Sequence, residues 1–271
     1  MSTDADTQAL VIGSGADELV AAHYLARAGL RVRVLRESRS LGAPLRTGWI
    51  PPAIVRELAL EQKGLAVQHP DPWAIAPLPG GGRLALTRDV ARSAEAIRAV
   101  SARDAQRWPE FCRRMHALAA VLEHFYGAPP PDPLTHELGG YLALARDALR
   151  VRKLGRQGIE DLLRLMPMPV ADLLDEWFES DVLKGVLGAA GIVHLSQGPR
   201  SGGTAFNFLH HHVGSPPGVF RQPLSNVDRV LGELADVGIQ DGRVARIELR
   251  KGGVTGVVLD SGEEIAASLV L

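Results

Sequence analysis

The apolar and polar positions change period along the chain, and each change marks an element. Ala9 to Ile12 is a short apolar run that meets Gly13-Ser14-Gly15, after which Leu19, Val20, Ala22, Leu25 and Ala26 recur at helical spacing. Gly29 stops that helix and Val32 to Leu35 resumes as a β-branched strand, so the first 36 residues predict one βαβ unit. Two stretches rich in Gly, Pro and Ser follow, Arg39 to Pro52 and Pro70 to Gly82, and predict loops or turns around short elements. Ser101 to Tyr126 reads as a long amphipathic helix with Phe111, Met115, Leu118, Val121, Leu122 and Phe125 on one side, ended by Pro129-Pro130-Pro131. From about Pro133 to Leu187 helical patterns alternate with polar breaks, Pro167 and Pro169 interrupting one of them. The last segment alternates from Val244 to Leu249 and from Val254 to Leu259, with turns at Lys251-Gly252-Gly253 and Asp260-Ser261-Gly262, before Ile265 to Leu271. That predicts a three-stranded meander.

Composition narrows what such a chain can do. At 271 residues and 46% hydrophobic content it can bury the core of one large or two modest domains. Thirty basic against 31 acidic side chains leave a formal charge of -1, which gives no global attraction to nucleic acid or to an anionic membrane. Cys112 is the single cysteine, so neither an intramolecular disulfide nor a Cys-x-x-Cys pair can form, and redox chemistry needs a bound cofactor. The polar, acidic start from Met1 to Gln8 lacks the features of a signal peptide, and no run approaches the roughly 18 apolar residues of a membrane span. The expectation is a cytoplasmic protein.

A strand that runs into a Gly-x-Gly turn and a helix places backbone N–H groups and the positive end of the helix dipole where a pyrophosphate can sit. Gly13, Ser14, Gly15 and Ala16 are the candidates for that contact in a Rossmann-like unit. The third fingerprint position, where glycine lets helix pack on strand, is Glu18. A carboxylate about 5 Å from one phosphate charge costs on the order of 3 kcal/mol at an effective dielectric near 20. That cost vanishes if Glu18 turns into solvent. Where the fingerprint has an acid for the ribose hydroxyls, this chain has Arg36 followed by Glu37. Arg36 admits contact with a 2′-phosphate, simple loss of the ribose contact, or the plain reading of a solvated strand-end arginine. A one-residue shift brings Glu37 into the acid's place.

The opening, Val11-Ile12-Gly13-Ser14-Gly15 followed by Leu19-Val20-Ala21-Ala22 and Tyr24-Leu25-Ala26-Arg27-Ala28-Gly29, resembles the flavin-binding segment of phytoene-desaturase-like FAD oxidoreductases. Gly64-Leu65, Ala76-Pro77-Leu78-Pro79, Ser101-Ala102-Arg103-Asp104-Ala105, Trp108-Pro109-Glu110-Phe111, Leu183-Lys184 and His210-His211-His212 are similar to the subgroup called pyridine nucleotide-disulfide oxidoreductase domain-containing protein 2. The most specific match is Asp175-Glu176-Trp177-Phe178-Glu179-Ser180.

The resemblance implies an α/β fold, a Rossmann-like FAD/NAD(P)-binding domain with an inserted, mainly helical cap and a β-meander. Residues 1–92 would begin the FAD domain, 93–226 would form the cap and 227–271 would return to the FAD domain. It also implies FAD, an apolar or amphipathic substrate, and hydride removal or transfer at a carbon skeleton. The family's Leu-Gly-Gly-Ala loop appears as Leu41-Gly42-Ala43-Pro44, which makes Gly42 a further cofactor candidate. Family members are about twice this length, so the resemblance implies a missing piece: a partner chain, a second copy, or a further carboxy-terminal half. With the fingerprint altered, the alternative is a non-catalytic homologue that serves as a binding or scaffolding partner, for instance of a full-length paralogue. An NADP(H)-binding protein using Arg36 is a third reading.

The remaining candidates each have a plainer reading. His211 and His212 are placed by the resemblance near flavin or substrate, against the alternative of satisfied structural histidines. Three consecutive histidines point in different directions on a helix or strand and cannot all hold one ion, so no metal is expected. His194 and Cys112 read as structural, the thiol as inert and partly buried. Arg146, Arg150, Arg152, Lys153 and Arg156 lie beside Leu142, Leu144, Leu149 and Leu154. Such a face is ordinarily solvated, and peripheral membrane contact is the other reading.

Overall fold

A computed structural model of the chain describes residues 7–37, 46–128, 132, 134, 137–234, 236–250 and 252–271, with the backbone alone at Arg46 and Thr47. The chain opens with β1 (Ala9–Ile12), α1 (Ala16–Arg27), β2 (Val32–Arg36), β3 (Arg46–Thr47), α2 (Pro52–Glu57) and β4 (Val67–Gln68). There follow β5 (Ala74–Pro77), β6 (Arg83–Leu86), α3 (Val90–Arg98), α4 (Ala102–Tyr126), α5 (Leu138–Arg152), α6 (Gly155–Leu165), α7 (Val170–Trp177), α8 (Asp181–Ala190) and α9 (Thr204–His210). It closes with β7 (Leu224–Ser225), α10 (Val227–Gly232), β8 (Gly238–Asp241), β9 (Val244–Arg250), β10 (Gly253–Leu259), β11 (Glu264–Ala266) and β12 (Leu269–Val270). Two compact units result, residues 1–68 with 224–271, and residues 69–223. The β5–β6 hairpin clusters with the second unit, although the sequence suggested keeping it with the first. The reason is local: the Thr87 N–H donates to the Ser93 hydroxyl at 2.9 Å, tying the end of β6 to α3.

In the first unit the strands run in the order β12-β1-β2-β8, all parallel. Both faces of this sheet are covered, as parallel sheets require. Val11 and Val34 pack against Leu19 and Ala22 of α1 and Val227, Val230 and Leu231 of α10. On the opposite face Leu10 and Leu35 pack against Val257, Leu259 and Ile265 of the antiparallel β9-β10-β11 meander and against Ala267 just beyond it. The fold is therefore α/β and Rossmann-like, with helix, sheet and meander in three layers. Gly256 holds a bulge in β10 at φ 151°, where a Cβ would lie 2.2 Å from the Ile265 carbonyl oxygen.

Ile265 to Leu271 is not one meander strand: β11 ends at Ala266, and β12 crosses into the parallel sheet beside β1. The break is set by a partner elsewhere, because the Ser268 and Leu269 N–H groups both donate to the Gln8 carbonyl, at 3.2 and 3.1 Å.

The second unit is mainly helical. Ser101 caps α4 by accepting from the Asp104 N–H at 3.0 Å, and Phe111, Met115, Leu118, Val121 and Leu122 are buried on one side as their spacing predicts. Phe125 differs, being 38% exposed one residue from the helix end. The helix already stops at Tyr126 with Gly127 at its end, and Pro129, Pro130 and Pro131 lie outside the described residues. Trp108 and Phe111 join Phe178, Phe208 and Phe220 in an aromatic core, with Phe208 stacked on Phe220 at 4.5 Å.

The Trp177-Phe178-Glu179-Ser180 block forms the joint between α7 and α8. The fully buried Asp104 carboxylate accepts from the Glu179 and Ser180 N–H groups, each at 2.9 Å, while the Ser101 hydroxyl donates to Glu179 at 2.8 Å. Asp104→Ala leaves two amides without their acceptor and should lower stability by about 3 kcal/mol. A shift in the urea midpoint measures this. A loss under about 0.5 kcal/mol, the range of an ordinary surface change, would contradict the role given to the joint.

Candidate nucleotide site

β1 ends in the Gly13-Ser14-Gly15 turn at the switch point of the sheet, where β2 lies on one side of β1 and β12 on the other. Gly13 adopts φ 120°, a region that L side chains avoid, and its N–H donates to the Leu35 carbonyl at 2.9 Å. Gly15 is the N-cap of α1, and among the described residues no side chain hydrogen-bonds to cap that end. The backbone thus has the form of an anion cradle. Ser14 and Ala16 sit in the same turn and first helical position, as the sequence predicts.

The Glu18 side chain folds back against the cradle. A Cβ at Gly15 would lie 2.7 Å from Glu18 Oε2, and one at Gly13 would lie 3.0 Å from Glu18 Cγ. At both glycines the atoms that such a Cβ would meet belong to the Glu18 side chain. Glu18 does not turn into solvent. Side chains in the first turn of a helix tilt toward its N-terminus, and a carboxylate there meets the positive end of the dipole. The backbone has the form that takes a pyrophosphate, and the Glu18 carboxylate lies against it, so a phosphate placed there would meet a like charge at close range.

The candidates for the ribose are likewise engaged. β2 and β8 pair Arg36 directly with Asp241, and Arg36 Nε donates to Asp241 Oδ1 at 2.7 Å. This hydrogen bond raises the arginine's pKa and lowers the carboxylate's, and both side chains are exposed. Glu37 lies 3.3 Å from Arg243, which also approaches Asp260 at 3.5 Å. Gly42 and the rest of Leu41–Pro44 lie outside the described residues. The sequence reading missed His23, which is fully buried on α1 with Nε2 2.9 Å from the Leu231 carbonyl, joining α1 to α10. Its signal was its place on the same helical face as Leu19.

His211 and His212 belong to the second unit. His211 Nε2 lies 3.4 Å from the Val193 carbonyl, and its ring is 5.9 Å from that of His194. His212 is fully buried. Its Nδ1 donates to the Val219 carbonyl at 2.6 Å, which leaves Nε2 as the bare nitrogen, without a hydrogen-bond partner among the described residues. Burial pushes its pKa down to about 4, partly offset by the Val219 carbonyl and reinforced by His116. Among the described residues no group of three or more His, Cys, Asp or Glu could hold a metal ion. Cys112 is fully rather than partly buried, and burial raises its pKa far above the ordinary thiol value. A separate cavity of about 260 Å³ in this unit is lined by Arg107, Arg114, Arg164, Glu176 and Trp177. Its arginines are largely satisfied, Arg114 by Asp161, Arg164 by Glu176, and Arg107 by the carbonyls of Glu176 and Trp177.

The neutral state of His212 makes stability depend on pH. An unfolded histidine titrates near 6.5, so between about pH 6.5 and 4 the unfolded chain takes up a proton that the folded chain refuses. Stability is therefore full above pH 6.5 and falls by about 3 kcal/mol as the pH drops toward 4. Burial lowers His210 and His211 in the same direction. His212→Asn, which keeps an N–H for Val219 but cannot titrate, should flatten much of that slope in urea midpoints at pH 7.5, 6 and 5. An unchanged slope would contradict the assignment.

A scan against protein-family models finds no match. Among curated proteins the chain is 27% identical over 304 aligned positions to pyridine nucleotide-disulfide oxidoreductase domain-containing protein 2 of Rattus norvegicus, covering 97% of this chain and 52% of that protein. The Mus musculus protein of the same name is 26% identical with the same coverage. The chain thus spans about half the length of the curated relatives it matches. Among solved structures, a triple mutant of putrescine oxidase made to redesign cofactor binding matches with a TM-score of 0.56 at 14% identity, over 97% of this chain and 57% of that one. At that identity the likeness speaks for the fold. The resemblance carried by the motifs therefore extends along nearly the whole chain: it is similar to pyridine nucleotide-disulfide oxidoreductase domain-containing protein 2, on a fold shared with putrescine oxidase.

Proposed function

We propose that the chain is the nucleotide-binding and cap portion of an FAD-dependent oxidoreductase-like protein, and that flavin enters only when Glu18 leaves the turn. One observation carries this reading: the backbone of the cradle is whole, and what obstructs it is a single flexible side chain. Gly13 and Gly15 would face the pyrophosphate, with Glu37 or a freed Arg36 toward the adenosine ribose. Bound flavin supplies hydride transfer, and the protein's part is to position the cofactor and substrate. The substrate class proposed is an apolar or amphipathic carbon skeleton that undergoes dehydrogenation. The relatives' greater length supports a further piece, which we take to be a partner chain, a second copy or additional sequence. A cytoplasmic location belongs to the same proposal; among the described residues no helix is long and apolar enough to cross a membrane.

The second reading is a non-catalytic homologue that binds or scaffolds a partner. Glu18 in the cradle favours it, as does the engagement of Arg36 and Glu37 by Asp241 and Arg243. Quenching of FAD fluorescence tests the part Glu18 plays. Glu18→Gly removes both bulk and charge and should tighten FAD binding about a hundredfold, while Glu18→Gln keeps the bulk and should gain less. If neither variant binds FAD, nor Glu18→Gly combined with Arg36→Glu, Glu18 is not what keeps flavin out: the chain forms no flavin site by itself, and the further piece becomes the limiting defect.

A further inference from the structure

We propose that α5 is an interfacial helix that lays its outer face on an anionic lipid surface. The helix has no buried residue along its length. Leu138 is 83% exposed, Leu142 71%, Leu149 57% and Tyr141 53%. At about 100° per residue, Leu138, Leu142, Ala145 and Leu149 fall within about 60° of one another, with Tyr141 at the stripe's edge. The side toward the protein carries the half-buried Leu144, Asp147 and Val151, and Asp147 Oδ1 is fixed 2.7 Å from His124 Nε2. The outward leucine stripe therefore sits opposite the side that anchors the helix.

The charge pattern selects the occupant. From Leu138 to Arg156 there are five basic side chains, Arg146, Arg150, Arg152, Lys153 and Arg156, against one acid, Asp147, which faces inward to His124. The whole chain, by contrast, carries a formal charge of -1. Arg156 pairs with Glu160, but Arg146, Arg150, Arg152 and Lys153 enter no ion pair among the described residues. On the helix Arg146, Arg150 and Lys153 flank one side of the stripe and Arg152 the other. Leucines that enter the acyl boundary with flanking cations reaching up to anionic headgroups are the arrangement of a helix lying in a membrane surface. A second copy suits this face poorly, because joining two such stripes brings two sets of unpaired cations together.

Co-sedimentation of the purified chain with vesicles tests the proposal, whether or not flavin binds. The chain should pellet with phosphatidylglycerol-containing vesicles and much less with pure phosphatidylcholine, and binding should weaken as salt rises. Leu142→Glu with Leu149→Glu should reduce partitioning at least tenfold, and Arg146→Ala or Lys153→Ala about fivefold each. All four side chains are exposed, so the fold should hold, and unchanged circular dichroism and melting would verify that. Failure to bind either vesicle, or binding that ignores the leucine substitutions, would overturn the proposal. So would a dimer in sedimentation velocity that those substitutions dissolve, which would assign the stripe to a second copy.

Discussion

The Glu18 carboxylate and a ligand's phosphate compete for the same space at the N-terminus of α1. Everything else in the first unit prepares that space. The parallel order places the end of β1 at the switch point, Gly13 turns the chain through a conformation that other residues rarely adopt, and Gly15 starts the helix without a side chain of its own to cap the free amides. Such an arrangement attracts an anion, and the chain answers with its own. An acidic group in the first helical turn is worth about 0.3–1 kcal/mol. That is small beside the roughly 3 kcal/mol of repulsion toward a nearby phosphate, so Glu18 weighs more against a dinucleotide than for the helix.

The surroundings of the turn are similarly self-satisfied. Arg36 and Asp241 sit opposite each other because β8 pairs in register with β2, so the ribose position is linked to the order of the sheet. The second unit follows a different economy of contacts. Its aromatic core and the Asp104 joint account for the Trp-Phe-Glu-Ser block as structure, and His212 is kept neutral by the same packing.

The βαβ opening was legible because each element has its own period: four apolar residues, a glycine turn, then helical recurrence from Leu19. The long helix was legible for the same reason, and its Ser101 cap agreed with the pattern. The direction of Glu18 stayed open in the sequence, although the tilt of first-turn side chains toward the helix N-terminus points back over the turn. The departure of β12 from the meander was hidden, since Ile265 to Leu271 carries no breaker, and the change of partner depends on the Gln8 carbonyl some 260 residues away. Asp104 was invisible as a joint because its partners are backbone amides, which leave no mark on composition or spacing. The leucines of α5 were visible as helical, but their outward direction required knowing that Asp147 is held by His124.

Titration calorimetry with ADP tests the central claim most directly, because ADP asks only about the phosphate cradle and not about the flavin ring or any further chain. The parent chain should give no measurable heat, and saturable binding should appear once Glu18 is replaced by glycine. Equal binding by both, or binding by neither, would show that Glu18 does not govern the site.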